Sequence, residues 1–553
     1  MTYTFDLKAA YLGLPVKTER KKTLLEIHAD GEKKYELSVP DMRDESCDYY
    51  CWLRLPDCEG KTLTLEGELT DSFFKQICQA DKISYSGLTR PLLHFTADRG
   101  WLNDPNGLVY HDGIYHLFFQ YNPTDIEWGN MSWGHAVSRD LLCFRQTDTA
   151  LLPDESGAMF SGNGIVNERG LLGAPKDALV FFYTAAGGIN PWSEGKEFTQ
   201  RIAVSTDGGR TLKKLPGEAV GVIEKDSRDP QVFWHEASGA YVMALWIQGE
   251  ETALLRSEDL ENWVITDRFT LPGAFECPNL FCLPIVDEDF RVLAGGGEER
   301  EFAETDCLQW VLTVADGSYY FGSFDGYRFT SDGVRRKNYL TELPYAAQVY
   351  SGMENRKVMI PWLRTKNEGR LYTGAMGIPR ELGITIRHGI SFLSMRPVRE
   401  YEESRRKIAF VKNVAEHSRQ NHSESFAEIF DCGIPVELKN GRISFEINEE
   451  AVTELVLRLE KGAELSIEFF GQILTVKKEA IIFGTERTVL PEAFWELHLL
   501  IDRQIIEVSG NEYTQTAYYE TGADDLTGEI AVAGCVSTLE IYQWKPCAAD
   551  EGQ

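Results

Sequence analysis

The chain has 553 residues, 43% hydrophobic and 12% aromatic, enough for two or three domains with substantial cores. Lys and Arg number 56 against 86 Asp and Glu, a net charge of −30. That balance repels phosphate backbones and anionic membrane surfaces, which excludes nucleic acid and membrane as partners and favours a neutral or cationic small molecule.

The opening "MTYTFDLKAAYLG" places Asp6 and Lys8 where a signal peptide needs an unbroken apolar core, and no later run approaches a membrane span. Eleven cysteines lie scattered without a CxxC pair, so they read as reduced thiols and the expected compartment is the cytoplasm. Residues 1–88 form a small β-rich region of short strands ("TLLEIHA", "KYELSV", "YYCWLRL", "KTLTLEG"), with one short helical candidate, "DSFFKQICQADKI". Residues 89–395 follow, rich in β-branched and aromatic runs ("IYHLFFQY", "ALVFFYTA", "YVMALW") joined by turns such as Asp112-Gly113, Asp207-Gly208 and Asp325-Gly326. Beyond the charged stretch "REYEESRRK", residues 405–548 carry strands such as "RISFEI", "ELVLRLE" and "LEIYQW", a pattern that fits a β-sandwich. The expected fold class is all-β.

The central region contains a repeat. "NDPNGLVYHDGIYHLFFQ", "RDPQVFWHEASGAYVMAL" and "ECPNLFCLPIVDEDFRVLA" each set an acid, a proline and an Asn or Gln at the head of a strand–turn–strand unit. The acids are Asp104, Asp229 and Glu276. Two weaker relatives begin near Phe160 and Tyr345. Five units spaced roughly 45–70 residues apart match propeller blades with insertions. The innermost strand of every blade lines the central channel, so acids in register on three blades converge on one axis. Carboxylates that close cannot all ionise, and at least one should hold its proton to unusually high pH. A single Asp-Pro corner is usually only a turn; three in register favour catalysis. His111 and His116 flank a hairpin and read as surface or packing residues. "AGGGEER" near residue 297 lacks the Lys and Ser/Thr of a phosphate loop. No metal-ligand spacing surrounds Cys277, which by itself reads as a small packed neighbour, and neither a metal nor a cofactor is expected.

In that order, "HFTADRGWLNDPNGLVY", "FSGNG", "SRDPQVFW" and "FECPNLF" resemble the glycoside hydrolases of family 32, the invertases, exo-inulinases and levanases that cleave β-fructofuranosides. "LLIDRQIIEVSGNE" is similar to that family's Asp-Arg-x-x-x-Glu-Val segment in its sandwich module. The resemblance implies a five-bladed β-propeller followed by a β-sandwich. It implies Asp104 as nucleophile, Glu276 as general acid and then base, and Asp229 as the transition-state stabiliser that holds fructose hydroxyls. Arg228 would tune Glu276, and Asn103, Gln120, Trp128, Phe160 and Ser161 would line the sugar pocket, with Cys277 joining them through the Glu-Cys motif. Trp133 would offer a further apolar face. Two departures stand out: Phe275 where the family often has Trp before Glu-Cys, and Leu343 where relatives often carry Asp.

The chemistry accounts for the residue types. Breaking a fructosidic bond builds positive charge at the anomeric carbon, so one carboxylate attacks while a protonated partner donates to the leaving oxygen, ideally from roughly 5 Å away. The expected activity is release of terminal β-D-fructose from fructans, fructo-oligosaccharides or sucrose, with a small carbohydrate as the partner. The residues leave open a fructosyltransferase, including one handling difructose anhydrides, a sucrose-6-phosphate hydrolase, and whether the chain is a homo-oligomer.

Overall fold

A computed structural model describes the chain except residues 44, 84, 86–88, 288, 294–308, 354–355, 415–427, 431–433, 440–441, 460–462, 523–525, 535 and 547–553. The "AGGGEER" stretch lies outside the described residues. The amino-terminal unit packs two antiparallel sheets face to face. One orders Thr2–Asp6, Thr62–Gly67, Lys22–Ala29 and Glu32–Pro40; the other orders Tyr49–Arg54, Tyr11–Val16 and Cys78–Ala80. Alternate residues such as Leu25, Ile27, Leu63 and Leu65 are fully buried, as a strand with one face on a core requires. The helical candidate forms only a short helix, Asp71–Gln76, capped by the Thr70 hydroxyl. The chain then turns extended into Cys78–Ala80, where pairing with Tyr11–Val16 overrides helical propensity.

Five sheets follow as blades, antiparallel except for the short strand Tyr372–Thr373, which pairs parallel to the first inner strand; the inner strands are Gly100–His111, Ala158–Val166, Arg228–His235, Asn279–Leu283 and Pro344–Val349. The Asp112-Gly113 corner of the first blade has positive φ at both residues (49° and 76°), the two-residue turn that matches strand twist. Side-chain amides join neighbouring inner strands. Asn163 exchanges two 2.8 Å bonds with Val232, Gln231 accepts from Leu280 N–H, and Asn279 bonds Ala347 O and Val349 N–H. Gln348 closes the ring, accepting from Leu108 N–H and donating to Gly162 O. In four of the five units the Asn or Gln of the repeat is therefore a staple between blades, satisfying buried backbone groups at the axis.

The carboxy-terminal unit stacks two seven-stranded sheets around a core that includes Leu455, Ile467, Leu499 and Ile541. Helix Arg399–Ser404 leads into it from the last blade. The Asp-Arg-x-x-x-Glu-Val segment lies where the two units meet. Asp502 accepts the backbone N–H groups of Leu92, Leu93 and His94 at 2.7–2.9 Å, and the His94 ring sits between Asp502 (2.8 Å) and Glu507 (3.0 Å). Arg380 donates to the other oxygen of Glu507. The two carboxylates hold the His94 ring protonated up to about 9 despite burial that works against its charge.

Two expectations need correction. Six described cysteines, Cys47, Cys51, Cys58, Cys78, Cys143 and Cys277, are free, but Cys282 is disulfide-bonded, so thiols are not reduced throughout. Trp133 is completely buried among Phe118, Phe181 and Tyr183, a core residue with no face to offer a sugar.

Candidate active site

Aligned on the stapling amides, the blades reveal how the acids are arranged. Asp104, Ser161, Asp229, Cys277 and Ala346 each stand two residues before the Asn or Gln; Asn103, Phe160, Arg228, Glu276 and Tyr345 stand three before it. Asp104 and Asp229 are thus in register, but Glu276 is one residue out. The extra Cys277 in "ECPN" causes the slip, and it places Glu276 level with Arg228 and Tyr345. Four of the five inner strands carry a β-bulge at these positions: Leu102/Pro105, Met159/Gly162, Arg228/Gln231 and Tyr345/Gln348. A bulge inserts a residue, bends the strand and re-aims its side chain. Pro105 and Pro230, which lack an N–H, sit where ladder bonds are interrupted anyway. Asp229, Glu276 and Cys277 all adopt left-handed backbone (φ 65°, 53° and 46°), strain of the kind concentrated at functional sites.

The three carboxylates have different surroundings. Asp104 accepts from the Ser161 hydroxyl (2.7 Å) and the Asn103 amide (3.1 Å), and Asn103 is itself fixed by Trp101 Nε1 (2.8 Å). Asp229 accepts from Cys277 N–H at 3.2 Å, while its own N–H donates to Thr184 Oγ1. The Cys277 sulfur lies 3.8 Å from Asp104 and 3.5 Å from Asp229, bridging the two. Glu276 accepts from Arg228 through both Nε (3.1 Å) and Nη2, and from the Tyr345 hydroxyl at 2.8 Å. The guanidinium lies 4.0 Å from the Trp246 ring centre and 5.9 Å from that of Phe275, which fills the place of the family's Trp.

Burial raises the Asp104 carboxyl, partly offset by the Ser161 and Asn103 bonds. Asp229 rises furthest, to about 7, through burial first and then the neighbouring Glu276 charge, with Arg228 opposing. Burial pushes the Cys277 thiol well up, with the Asp229 and Asp104 charges adding to it, so it stays protonated as a weak donor. The cluster therefore retains a proton well above the ordinary carboxylate range, as expected of converging acids, and Asp229 is the member most burdened.

Among the other expected pocket residues, Phe160 lies beside Ser161, and Trp128 meets it edge-on at 6.3 Å while 48% exposed, open to a ligand. Gln120 is buried and donates to Met159 O at 2.8 Å. Leu343 is half-buried against the last-blade core. His111 and His116 lie apart from the acids; His116 is buried against His135 at 3.0 Å. Tyr345 was missed as a site residue, although its place three residues before Gln348 was visible once the blades were aligned on the amide. A cavity of about 1080 Å³ lies between the amino-terminal unit and the first two blades, and none of the three acids lines it. Among the described residues, one group has metal-ligand proximity, Glu26, His28 and Glu66, and it is a surface cluster on the amino-terminal sheet with Lys33 bonded to Glu26.

A five-bladed propeller whose axis gathers three carboxylates, one bonded by neutral donors and another by Arg and Tyr, defines a site for paired nucleophilic and acid–base work on a polar substrate. The model for the N-terminal domain of glycosyl hydrolases family 32 matches residues 94–395, and the chain belongs to that family. It is 34% identical to a levanase of Bacillus subtilis over 358 residues, covering 59% of this chain and 49% of that protein. It is 32% identical to an extracellular exo-inulinase of Aspergillus niger over 364 residues, covering 58% and 66%. The chain thus spans half to two thirds of these relatives' lengths. The exo-inulinase structure from Aspergillus awamori superposes with a TM-score of 0.65 at 23% identity, over 84% of this chain and all of that one. A family 32 structure from Bifidobacterium adolescentis reaches 0.65 at 16% identity over 98% and 99%, so the likeness in fold extends across the amino-terminal unit.

Proposed function

We propose that the chain is a retaining β-fructosidase that releases terminal β-D-fructose from fructans, fructo-oligosaccharides or sucrose. The observation that carries this reading is the unequal environment of adjacent carboxylates: Asp104 has only neutral donors, whereas Glu276 is clasped by Arg228 and Tyr345. Asp104 attacks the anomeric carbon as the bond to the leaving oxygen breaks, and Glu276 gives that oxygen its proton. Water then adds to the anomeric carbon, losing a proton to Glu276 and releasing Asp104. Asp229, once ionised, accepts hydrogen bonds from the sugar hydroxyls. Its bonds to the sugar strengthen as the ring flattens. Family membership and the levanase and exo-inulinase relatives support this substrate class.

The test is product analysis with sucrose, inulin, levan and short fructo-oligosaccharides, using Asp104→Ala as control. Free fructose from chain ends supports hydrolysis; longer or cyclic products would replace it with transfer; activity surviving in Asp104→Ala would remove the mechanism. We place the enzyme in the cytoplasm, acting on short oligomers. The free thiols fit that compartment, the Cys282 disulfide runs against it, and cell fractionation decides.

A further inference from the structure

The amino-terminal unit lies outside the family match, yet its sheet edge grips the two loops that border the sugar pocket. Lys22 Nζ reaches across to Asp125 (2.9 Å) and Glu127 (3.0 Å), the residues just before exposed Trp128. Asp125 is 2% exposed, so Lys22 neutralises a charge that would otherwise be buried alone. On the other side of Trp128, Asn130 accepts from Ser38 N–H (2.8 Å) and donates to Ser38 O (2.6 Å) and Thr124 Oγ1 (2.6 Å), while Thr124 also donates to Ser38 O (3.0 Å). Asn130 has φ 42°, a left-handed conformation that asparagine tolerates better than most side chains. One blade further, Glu36 accepts from Trp192 N–H at 2.9 Å and Lys33 sits 4.6 Å over the Trp192 ring. Both loops converge on Phe160: Trp128 touches it from one, and Phe198, beyond the other, lies 5.5 Å from it.

We infer that the amino-terminal unit is a positioning element of the sugar site: through Lys22 and the backbone of Ser38 it fixes the 122–130 loop, so that Trp128 is presented at the rim beside Phe160. The inference rests on the proposed fructosidase reading for its consequence and not for its geometry. The loop has a network of its own through Asn122, which accepts from Thr124 and donates to Glu127 O, and Lys22 and Ser38 tie that network to the amino-terminal unit; binding suffers steeply when a contact group is misplaced. Lys22 and Asn130 touch no reacting atom. They act through Trp128, and substrate affinity should feel them more than the chemical step.

The test uses the full chain with Lys22→Met, which keeps the stem and removes the charge, and Asn130→Gly, which keeps the left-handed backbone and removes the amide. Hydrogen exchange across residues 122–131 should quicken roughly tenfold in each, with the inner strands unchanged. With a fructo-oligosaccharide, KM should rise roughly tenfold while kcat changes little, and in a Trp128→Ala background Lys22→Met should add almost nothing. Unchanged exchange in the loop, or a KM effect fully retained without Trp128, overturns the inference; a lowered melting temperature with unaltered KM does so too. If the wild type releases no fructose from any fructan, the functional reading fails separately, and the exchange measurement still judges the positioning.

Discussion

Asp229→Asn should make the protein more stable at neutral and alkaline pH while nearly abolishing activity. In the folded protein Asp229 titrates near 7, against an ordinary 3.8, because it is buried beside Glu276. A difference of roughly three pH units corresponds to about 4 kcal/mol. The sign follows from proton counting. Between 3.8 and 7 the folded state keeps a proton that the unfolded chain has lost, so stability falls as pH rises through that window and levels above it. Asparagine never ionises, and its oxygen can still accept from Cys277 N–H. Thermal unfolding at pH 4.5, 6 and 8 should therefore show the variant melting a few degrees higher at pH 8, with the gap closing toward pH 4.5. Activity should fall by on the order of a thousandfold, since the site keeps a destabilising charge for its function. A variant no more stable than wild type at pH 8, or a gap independent of pH, would refute the reasoning.

Other outcomes follow from the same structure. Arg228→Ala leaves Glu276 without the guanidinium that donates twice to one of its oxygens and should lower kcat roughly a hundredfold with a smaller change in KM, as steady-state kinetics on sucrose or inulin would show. Tyr345→Phe removes one hydrogen bond to Glu276 and should reduce kcat by about tenfold without altering the melting temperature appreciably. His94→Gln breaks the buried cluster with Asp502 and Glu507 and should cost on the order of 3–5 kcal/mol near pH 6, read by denaturant titration. In the wild type the His94 contribution is complete below about pH 6.5 and is lost as pH rises through about 9, so the variant should lack this alkaline weakening.

The repeated acid, proline and amide made blade count and the approach of Asp104, Asp229 and Glu276 legible in the sequence, because period and converging inner strands are properties of the chain itself. The slip of Glu276 was not, since it depends on which residue of "ECPN" pairs, and only the amide staples fix that register. Tyr345 escaped because its unit lacks an acid, the feature used to find the others. Trp133 and Trp128 stand five residues apart in one motif-rich stretch, yet one is fully buried and the other half exposed. Strand pairing decides that difference, and pairing is non-local. The His94 cluster and the Lys22 grip join residues separated by about 410 and 100 positions, contacts that no local pattern encodes.

The central claim is that Asp104 forms the covalent bond and Glu276 moves the proton. It is tested most directly with Glu276→Gln and a β-fructosyl fluoride, whose leaving group needs no acid. Attack by Asp104 then proceeds while hydrolysis of the fructosyl-enzyme stalls for want of a base. Intact-protein and peptide mass spectrometry should find one fructosyl unit accumulating on the peptide that contains Asp104. No adduct, or an adduct on a different carboxylate, would contradict the account.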